Sequence, residues 1–153
     1  MAASRSFFSD AQIELVTAVL NRIIPANEEL PGAGEIAVDY LDEAISGSSQ
    51  LKRIFSHGLF QVEISAYRLF SEGFPSLTGE QMDSVLRMVE AEEAEFFDLL
   101  VRQTYNGYYI DPRIVKLLGL EARPPQPLGY RVDQGNITLI ENVKNRGLAY
   151  RKV

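Results

Sequence analysis

The densest group of side chains that could do chemistry is an acidic run between residues 90 and 95. Within it, Glu92 lies three positions after Val89 and Glu93 lies three positions before Phe96, so one of the two falls on, or at the edge of, the apolar side of a helix. Two interpretations follow. Either both side chains reach water from the margin of the stripe, or one is a partly buried carboxylate that pairs with an arginine or the single histidine, or faces another subunit. No second acid stands at the spacing of a glycosidase pair, so we do not interpret the run as catalytic.

Other reactive groups are scarce. His57 is the only histidine and there is no cysteine, so thiolate chemistry is excluded and helical di-iron sites, which need a histidine on each of two helices, cannot form. His57 stands within a predicted helix, with no nucleophile-elbow sequence anywhere in the chain. Neither of the glycine-rich phosphate-binding motifs occurs. We therefore predict no catalytic, cofactor-binding or metal-ligating residue in this chain.

Charge narrows the range of partners. The 153 residues carry a net charge of −6, which argues against nucleic acid, because phosphate binding needs a basic face. No uninterrupted apolar run approaches the ~20 residues that span a bilayer, so direct membrane insertion is not expected. Residues 131–153 hold five basic and two acidic side chains, a charge of +3, which leaves −9 for residues 1–130. We therefore divide the chain into a helical domain, 1–130, and a basic extension, 131–153, that is either solvated, folded back or bound to a partner.

Apolar periodicity and capping signals predict an all-α, single-domain bundle. Capping boxes open two of the helices, from Ser9 to Gln12 and from Thr78 to Gln81. Gly58, inside the third helix, marks either a close helix crossing or a break. The predicted helices cover about residues 10–24, 35–45, 50–71, 79–106, with Gly107 just beyond the end, and 112–118, with Asp111 as the cap and Gly119 as the stop.

The chain then changes character. Three prolines between residues 124 and 127 forbid a helix and predict an irregular, extended wrap. Beyond it, β-branched residues near Ile137 and Thr138 predict a short strand or hairpin. Tyrosine is enriched at interfaces and proline lowers the entropy lost on ordering. The residues we predict to face a partner are Tyr108, Tyr109, Arg113, Pro125, Pro127 and Tyr130; the compatible alternative is that the tyrosines cover the open end of the bundle.

A series of short motifs adds a family resemblance. In chain order they are Ile24-Pro25-Ala26, Pro31-Gly32-Ala33, Tyr40-Leu41-Asp42, Thr104 with Gly107-Tyr108-Tyr109, Asp111-Pro112-Arg113, Leu118-Gly119 and Pro125-Gln126-Pro127-Leu128-Gly129-Tyr130. Their order and spacing, over roughly residues 7–130, resemble the gluconate 2-dehydrogenase subunit 3 family, the small subunits of multi-subunit flavin-dependent sugar dehydrogenases.

The resemblance implies an accessory subunit that is not catalytic alone and carries no cofactor. FAD is then expected in a large partner subunit that oxidises the sugar, and a cytochrome c subunit often takes the electrons. The small subunit is associated with maturation, stability or export of the large one. Members are often periplasmic, but no twin-arginine segment is visible here, so the compartment stays open between periplasm and cytoplasm. A helical adaptor or chaperone, and an enzyme that uses Glu92 or Glu93, are the alternatives.

Overall fold

The structure is a computed structural model that describes residues 7–119 together with residues 141, 145 and 146. Residues 1–122 form one compact unit and residues 123–153 another. The helices of the first unit are α1 (Asp10–Ile23), α2 (Ala33–Ile36), α3 (Val38–Ser46), α4 (Ser49–Phe70), α5 (Gly79–Glu92), α6 (Ala94–Ile110) and α7 (Pro112–Leu117), with a 3₁₀ turn at Phe74–Ser76.

No strand occurs among the described residues, so the predicted all-α bundle is confirmed. The strand or hairpin predicted near Ile137 and Thr138 lies outside the described residues, as does the domain boundary predicted at residue 130. The part of the chain that the structure describes has seven α-helices rather than the predicted five, because two of the predicted helices are divided.

Both capping boxes form as predicted. The Ser9 side chain accepts a hydrogen bond from the Gln12 amide, and the Gln12 side-chain oxygen accepts one from the Ser9 amide at 3.0 Å. Thr78 and Gln81 make the same reciprocal pair at the start of α5. Each box satisfies amide donors that the first turn of a helix leaves without partners.

Helix α4 packs against α3, α5 and α6. Gly58 lies where α4 crosses α6, and a Cβ there would overlap the ring of Phe96. The Phe96 ring meets Phe55 edge to face, with ring centroids 5.5 Å apart. Of the two interpretations of Gly58, the close crossing is therefore confirmed, since α4 continues through it. The largest fully buried side chains include Phe55, Phe74, Phe96, Leu20, Leu41, Ile45, Leu100 and Ile114.

The predicted second helix is divided. It begins two residues earlier than predicted, at Ala33, and a single non-helical residue, Ala37, separates α2 from α3. The early start follows from a contact with α1: the Gly34 amide donates to the side-chain oxygen of Asn21 at 2.9 Å. This side chain, distant in sequence, takes the place of a local cap.

The long helix predicted for residues 79–106 is also divided, at Glu93. Glu93 has φ −128° and ψ 53°, outside the helical region, yet its amide still donates to the Val89 carbonyl at 2.7 Å and its carbonyl accepts from the Phe97 amide at 3.0 Å. Helical hydrogen bonds are therefore retained on both sides of Glu93, although its own backbone leaves the helical conformation.

The end of this helix was also predicted wrongly. Gly107 is inside α6 rather than beyond it, and a Cβ there would overlap the ring of Tyr40 on α3. Packing thus explains the glycine. The helix ends instead at Ile110, before Asp111 and Pro112, which open α7 as predicted. Gly119 then adopts φ +72°, the left-handed conformation typical of a glycine stop.

A buried carboxylate on α3 accepts hydrogen bonds from the residues that precede α1. Asp42, on α3, is 4 % exposed. Its Oδ1 accepts hydrogen bonds from the amides of Phe7 and Phe8, at 3.0 and 2.8 Å. Because a buried carboxylate is costly unless hydrogen-bonded, these two amides attach the residues before α1 to the bundle.

Candidate functional site

Tyr108 is the central residue of the family-like motifs. Its side chain is 1 % exposed, and its hydroxyl donates a hydrogen bond to the carbonyl oxygen of Pro31 at 2.7 Å. Burial raises the pKa of the Tyr108 hydroxyl, with a smaller contribution from Tyr109. Contrary to the interface prediction for this residue, the buried ring cannot face a partner; it joins α6 to the loop between α1 and α2.

The loop between α1 and α2 packs closely against α1. Asn21 fills the space beside Gly32 and Gly34, where a Cβ at either glycine would overlap its side chain. The Ala33 amide donates to the Ile24 carbonyl at 2.9 Å. Farther along, the side-chain oxygen of Asn27 accepts from two amides of the same loop. The glycines in the Pro-Gly-Ala-Gly stretch are therefore explained by close packing against α1.

Three of the motifs that carry the family resemblance, those around Pro31, Tyr40 and Tyr108, thus meet in space, although long stretches of chain separate them. Gly107 contacts Tyr40, and Tyr108 contacts Pro31. Thr104, fully buried one turn earlier in α6, donates its hydroxyl proton to the Leu100 carbonyl at 2.7 Å. We call this region the α6 clasp: Tyr40, Gly107 and Tyr108 with the loop of residues 24–32. The α6 clasp connects α6 with α3 and with the loop between α1 and α2.

Tyr109 differs from its neighbour. Its ring is 49 % exposed and stacks on Tyr105, with centroids 5.9 Å apart. Ile110, at 68 %, is the most exposed large apolar side chain among the described residues. We call Tyr105, Tyr109 and Ile110 the α6 patch; these residues present apolar surface to solvent, and Tyr109 stays a predicted partner contact. Leu117 and Leu118, farther along the chain, are also exposed.

Arg113 is engaged within the chain. Its guanidinium donates two hydrogen bonds to the Asp111 carboxylate, each at 3.0 Å, and approaches Glu35 on α2 at 3.8 Å. Hydrogen bonding from the Arg113 side chain lowers the pKa of Asp111. The Asp111 pair lies at the start of α7 itself, and 56 % of the Arg113 side chain remains exposed. The other predicted partner contacts, Pro125, Pro127 and Tyr130, lie outside the described residues.

The two candidate carboxylates have different surroundings. Glu92 is 53 % exposed and lies 3.3 Å from Arg68, so of the two candidate carboxylates it is the one that reaches water. Glu93 is 28 % exposed and its Oε1 lies 3.2 Å from Nε2 of His57. Both pairs join α4 to the α5–α6 segment. Among the described residues, no group of three or more acidic or histidine side chains could hold a metal ion.

An ion pair that the sequence did not predict joins α1 to α5. Arg22 donates through Nε and Nη2 to the two carboxylate oxygens of Asp83, at 2.8 and 2.9 Å. The side-chain hydrogen bond from Arg22 lowers the pKa of Asp83. The pair borders a cleft of about 320 Å³ whose apolar lining includes Leu86, Phe97 and Tyr105. The partners are 61 residues apart, so no local signal predicted them.

A second unpredicted feature is the outer face of α4. Phe60, Ile64 and Tyr67 are 59 %, 41 % and 58 % exposed. Their spacing, i, i+4 and i+7, places them on one side of the helix, opposite the buried face. The helical spacing of these three residues is present in the sequence. It was overlooked because the stripe of buried residues on the same helix gives a stronger apolar pattern.

Beside this outer face lies an open cleft of about 390 Å³ between α4, α1 and the 3₁₀ turn. Glu63 lines it, and burial raises the pKa of the Glu63 carboxyl, an effect that the neighbouring Phe74 amide partly offsets. A Cβ at Gly73 would lie 3.5 Å from the Tyr67 hydroxyl oxygen and 3.7 Å from Oε2 of Glu63. The two polar groups therefore converge beside Gly73.

None of the helices among the described residues is both long and apolar enough to cross a bilayer. No curated protein and no solved structure matches the chain at a significant level. A family model described as gluconate 2-dehydrogenase subunit 3 matches residues 10–121. That range includes α1 to α7 and the α6 clasp. Since the match extends over most of the chain, the protein belongs to the gluconate 2-dehydrogenase subunit 3 family.

Proposed function

We propose that this protein is a non-catalytic accessory subunit of an FAD-dependent sugar or polyol dehydrogenase such as gluconate 2-dehydrogenase. The observation that carries the proposal is the family match over residues 10–121. In this proposal the large subunit holds FAD and oxidises the substrate, a cytochrome c subunit accepts the electrons, and the small subunit supports maturation or stability of the flavoprotein.

The roles of the motif residues support an accessory function. Tyr108 binds the Pro31 carbonyl, Gly107 makes room for Tyr40, and Arg113 pairs with Asp111. Each contact stabilises the chain's own fold. These contacts make the folded shape rigid. A rigid surface loses less conformational entropy when a partner binds it, which fits an accessory role.

Exposed apolar side chains support a binding role. The outer face of α4 and the α6 patch together expose Phe60, Tyr67, Tyr109 and Ile110 to about half or more of their full extent. Grouped apolar side chains on a surface mark interaction sites more often than isolated ones do. Aromatic residues also contribute disproportionately to binding energy.

Affinity purification from the native host tests the proposal. A tagged copy of the full chain, expressed at its native level, should co-purify a larger protein with a flavin absorbance spectrum and sugar or polyol dehydrogenase activity. Deleting the gene should lower the amount of mature flavoprotein. If the tagged chain instead brings down an unrelated protein without flavin, the adaptor or chaperone alternative is correct. Recovery of the chain alone would contradict both.

A further inference from the structure

Helix α4 is apolar on two opposite sides. Phe55, Leu59 and Val62 face the core and are at most 3 % exposed. On the other side, Phe60 and Tyr67 are more than half exposed. A surface helix normally carries one apolar stripe and a polar outer face. The second stripe remains largely exposed among the described residues, which makes it a candidate surface for an occupant outside them.

The charge around this face indicates the chemistry of that occupant. The cleft beside Tyr67 is lined by Gln12, Glu14, Glu63 and Ser76, and no Lys, Arg or His is among its described lining residues. Residues 7–119 contain eighteen Asp and Glu against eight Lys and Arg. A basic group from a partner would therefore find hydrogen-bond acceptors and a favourable field here.

The basic side chains of α4 are Lys52, Arg53, His57 and Arg68, and none of them is among the described lining residues of this cleft. His57 pairs with Glu93 and Arg68 pairs with Glu92, both across to the α5–α6 segment. Among the described residues, no ion pair of Glu63 is found, and the neutral Phe74 amide is the neighbour that favours its charged form. A partly buried carboxylate with a single neutral donor gains more from a cation than a fully solvated one does, because its water shell is already reduced.

We propose that the outer face of α4, formed by Phe60, Ile64 and Tyr67, is a docking surface for the large subunit. The occupant is a segment of that subunit with apolar side chains next to an arginine or lysine. Its apolar side chains cover the three α4 residues and its cationic group enters the cleft to meet Glu63, with the Tyr67 hydroxyl beside it. This inference rests on the proposed function and adds the surface and the chemistry of the partner.

The test uses the complex co-purified from the native host, with variants in the full-length small subunit. The variant Phe60→Gln/Ile64→Gln/Tyr67→Gln should weaken association with the flavoprotein by at least about 30-fold, as expected when interface aromatic residues are lost. The matched control is Leu69→Gln on the same helix, since Leu69 is 41 % exposed, as is Ile64, but points to another side. It should bind as the wild type does. Thermal unfolding of each variant shows whether it folds, and the three single variants replace the triple one if it does not.

The electrostatic part is tested separately. Glu63→Gln keeps the shape of the side chain and removes its charge, so it should weaken association about 10-fold or more and reduce its salt dependence. Glu28→Gln, an exposed acid of the α1–α2 loop, should leave both unchanged. Equal loss in the two variants would show a general charge effect and overturn the assignment of Glu63.

The failure of this inference differs from the failure of the proposed function. If wild type captures the flavoprotein and the triple variant captures it equally well, the α4 surface is not the interface. If the triple variant instead converts a dimer of this chain to a monomer in light scattering, the occupant is a second copy and the proposal is overturned. If the wild type captures no flavoprotein, the proposed function fails and this inference fails with it.

Discussion

The hydroxyl of Tyr108 donates a hydrogen bond of 2.7 Å to the carbonyl oxygen of Pro31, across 77 residues of sequence. This bond connects α6 to the loop between α1 and α2. Both residues belong to the motifs that the family resemblance rests on. Their contact shows that the two motifs, which are distant in sequence, form one structural connection in this chain.

Replacing Tyr108 by phenylalanine tests the importance of that bond. The ring is buried and its packing is retained, so Tyr108→Phe should lower the free energy of unfolding by about 1 kcal/mol, the typical net value of one hydrogen bond. Chemical denaturation measures it. Tyr109→Phe is the matched control, since Tyr109 is half exposed and should change stability very little. Equal effects of the two changes would contradict the role assigned to the Tyr108 hydroxyl.

Gly58→Ala should destabilise the protein even though alanine favours helices by about 1 kcal/mol. The added Cβ would overlap the Phe96 ring, and overpacking a core costs about 1–3 kcal/mol. Thermal or chemical unfolding gives the sign directly. Gly47→Ala is the control, because its Cβ would meet only ordinary contacts at 3.8 Å. A stabilised Gly58→Ala protein would show that α4 and α6 are not in such close contact.

The ion pair of Arg22 and Asp83 should make stability depend on pH on the acid side. Its hydrogen bond lowers the pKa of Asp83 below the ordinary 3.8. The stabilisation is therefore present above the unfolded pKa and is lost as pH falls through the lower folded value. Unfolding measured from about pH 6 down to about pH 2, a range that includes the ordinary pKa of aspartate, should show a smaller loss of stability in Asp83→Asn, which is already less stable at neutral pH. Parallel curves for the two proteins would exclude the pair as the cause.

Glu93→Gln tests the remaining enzymatic alternative. Glu93 pairs with a His57 side chain that is 55 % exposed, and surface pairs of this kind contribute little to stability. We expect dehydrogenase activity of the co-purified complex to be unchanged by this substitution and by Glu92→Gln. A loss of activity with an intact complex and unchanged unfolding would favour the enzymatic alternative over an accessory role.

Several features of the fold could be predicted because their causes are local. The capping boxes at Ser9 and Thr78 involve residues three positions apart, and the start of α7 follows from Asp111 and Pro112. Short-range steric rules and hydrogen bonds act in the same way whatever surrounds them. The boundaries they set were therefore predicted correctly.

The incorrect or missing predictions concern features that depend on the tertiary structure rather than on neighbouring residues in sequence. Gly107 was interpreted as a helix end because glycine is typical of that position, yet the ring of Tyr40 is what requires it. The division at Glu93 leaves an unbroken apolar pattern on either side, so periodicity alone could not reveal it. The outer stripe of α4 was missed because a buried stripe on the same helix dominated the pattern.

By itself, the sequence determined the all-α class, the capped helix starts and the membership that the ordered motifs indicate. These depend on local backbone chemistry and on the order of residues along the chain. Only the tertiary structure decided which tyrosine is buried and which is free, since Tyr108 and Tyr109 are adjacent and chemically identical. Successive residues on a helix point in directions about 100° apart. Packing against the loop of residues 24–32 therefore buries Tyr108 and leaves Tyr109 exposed.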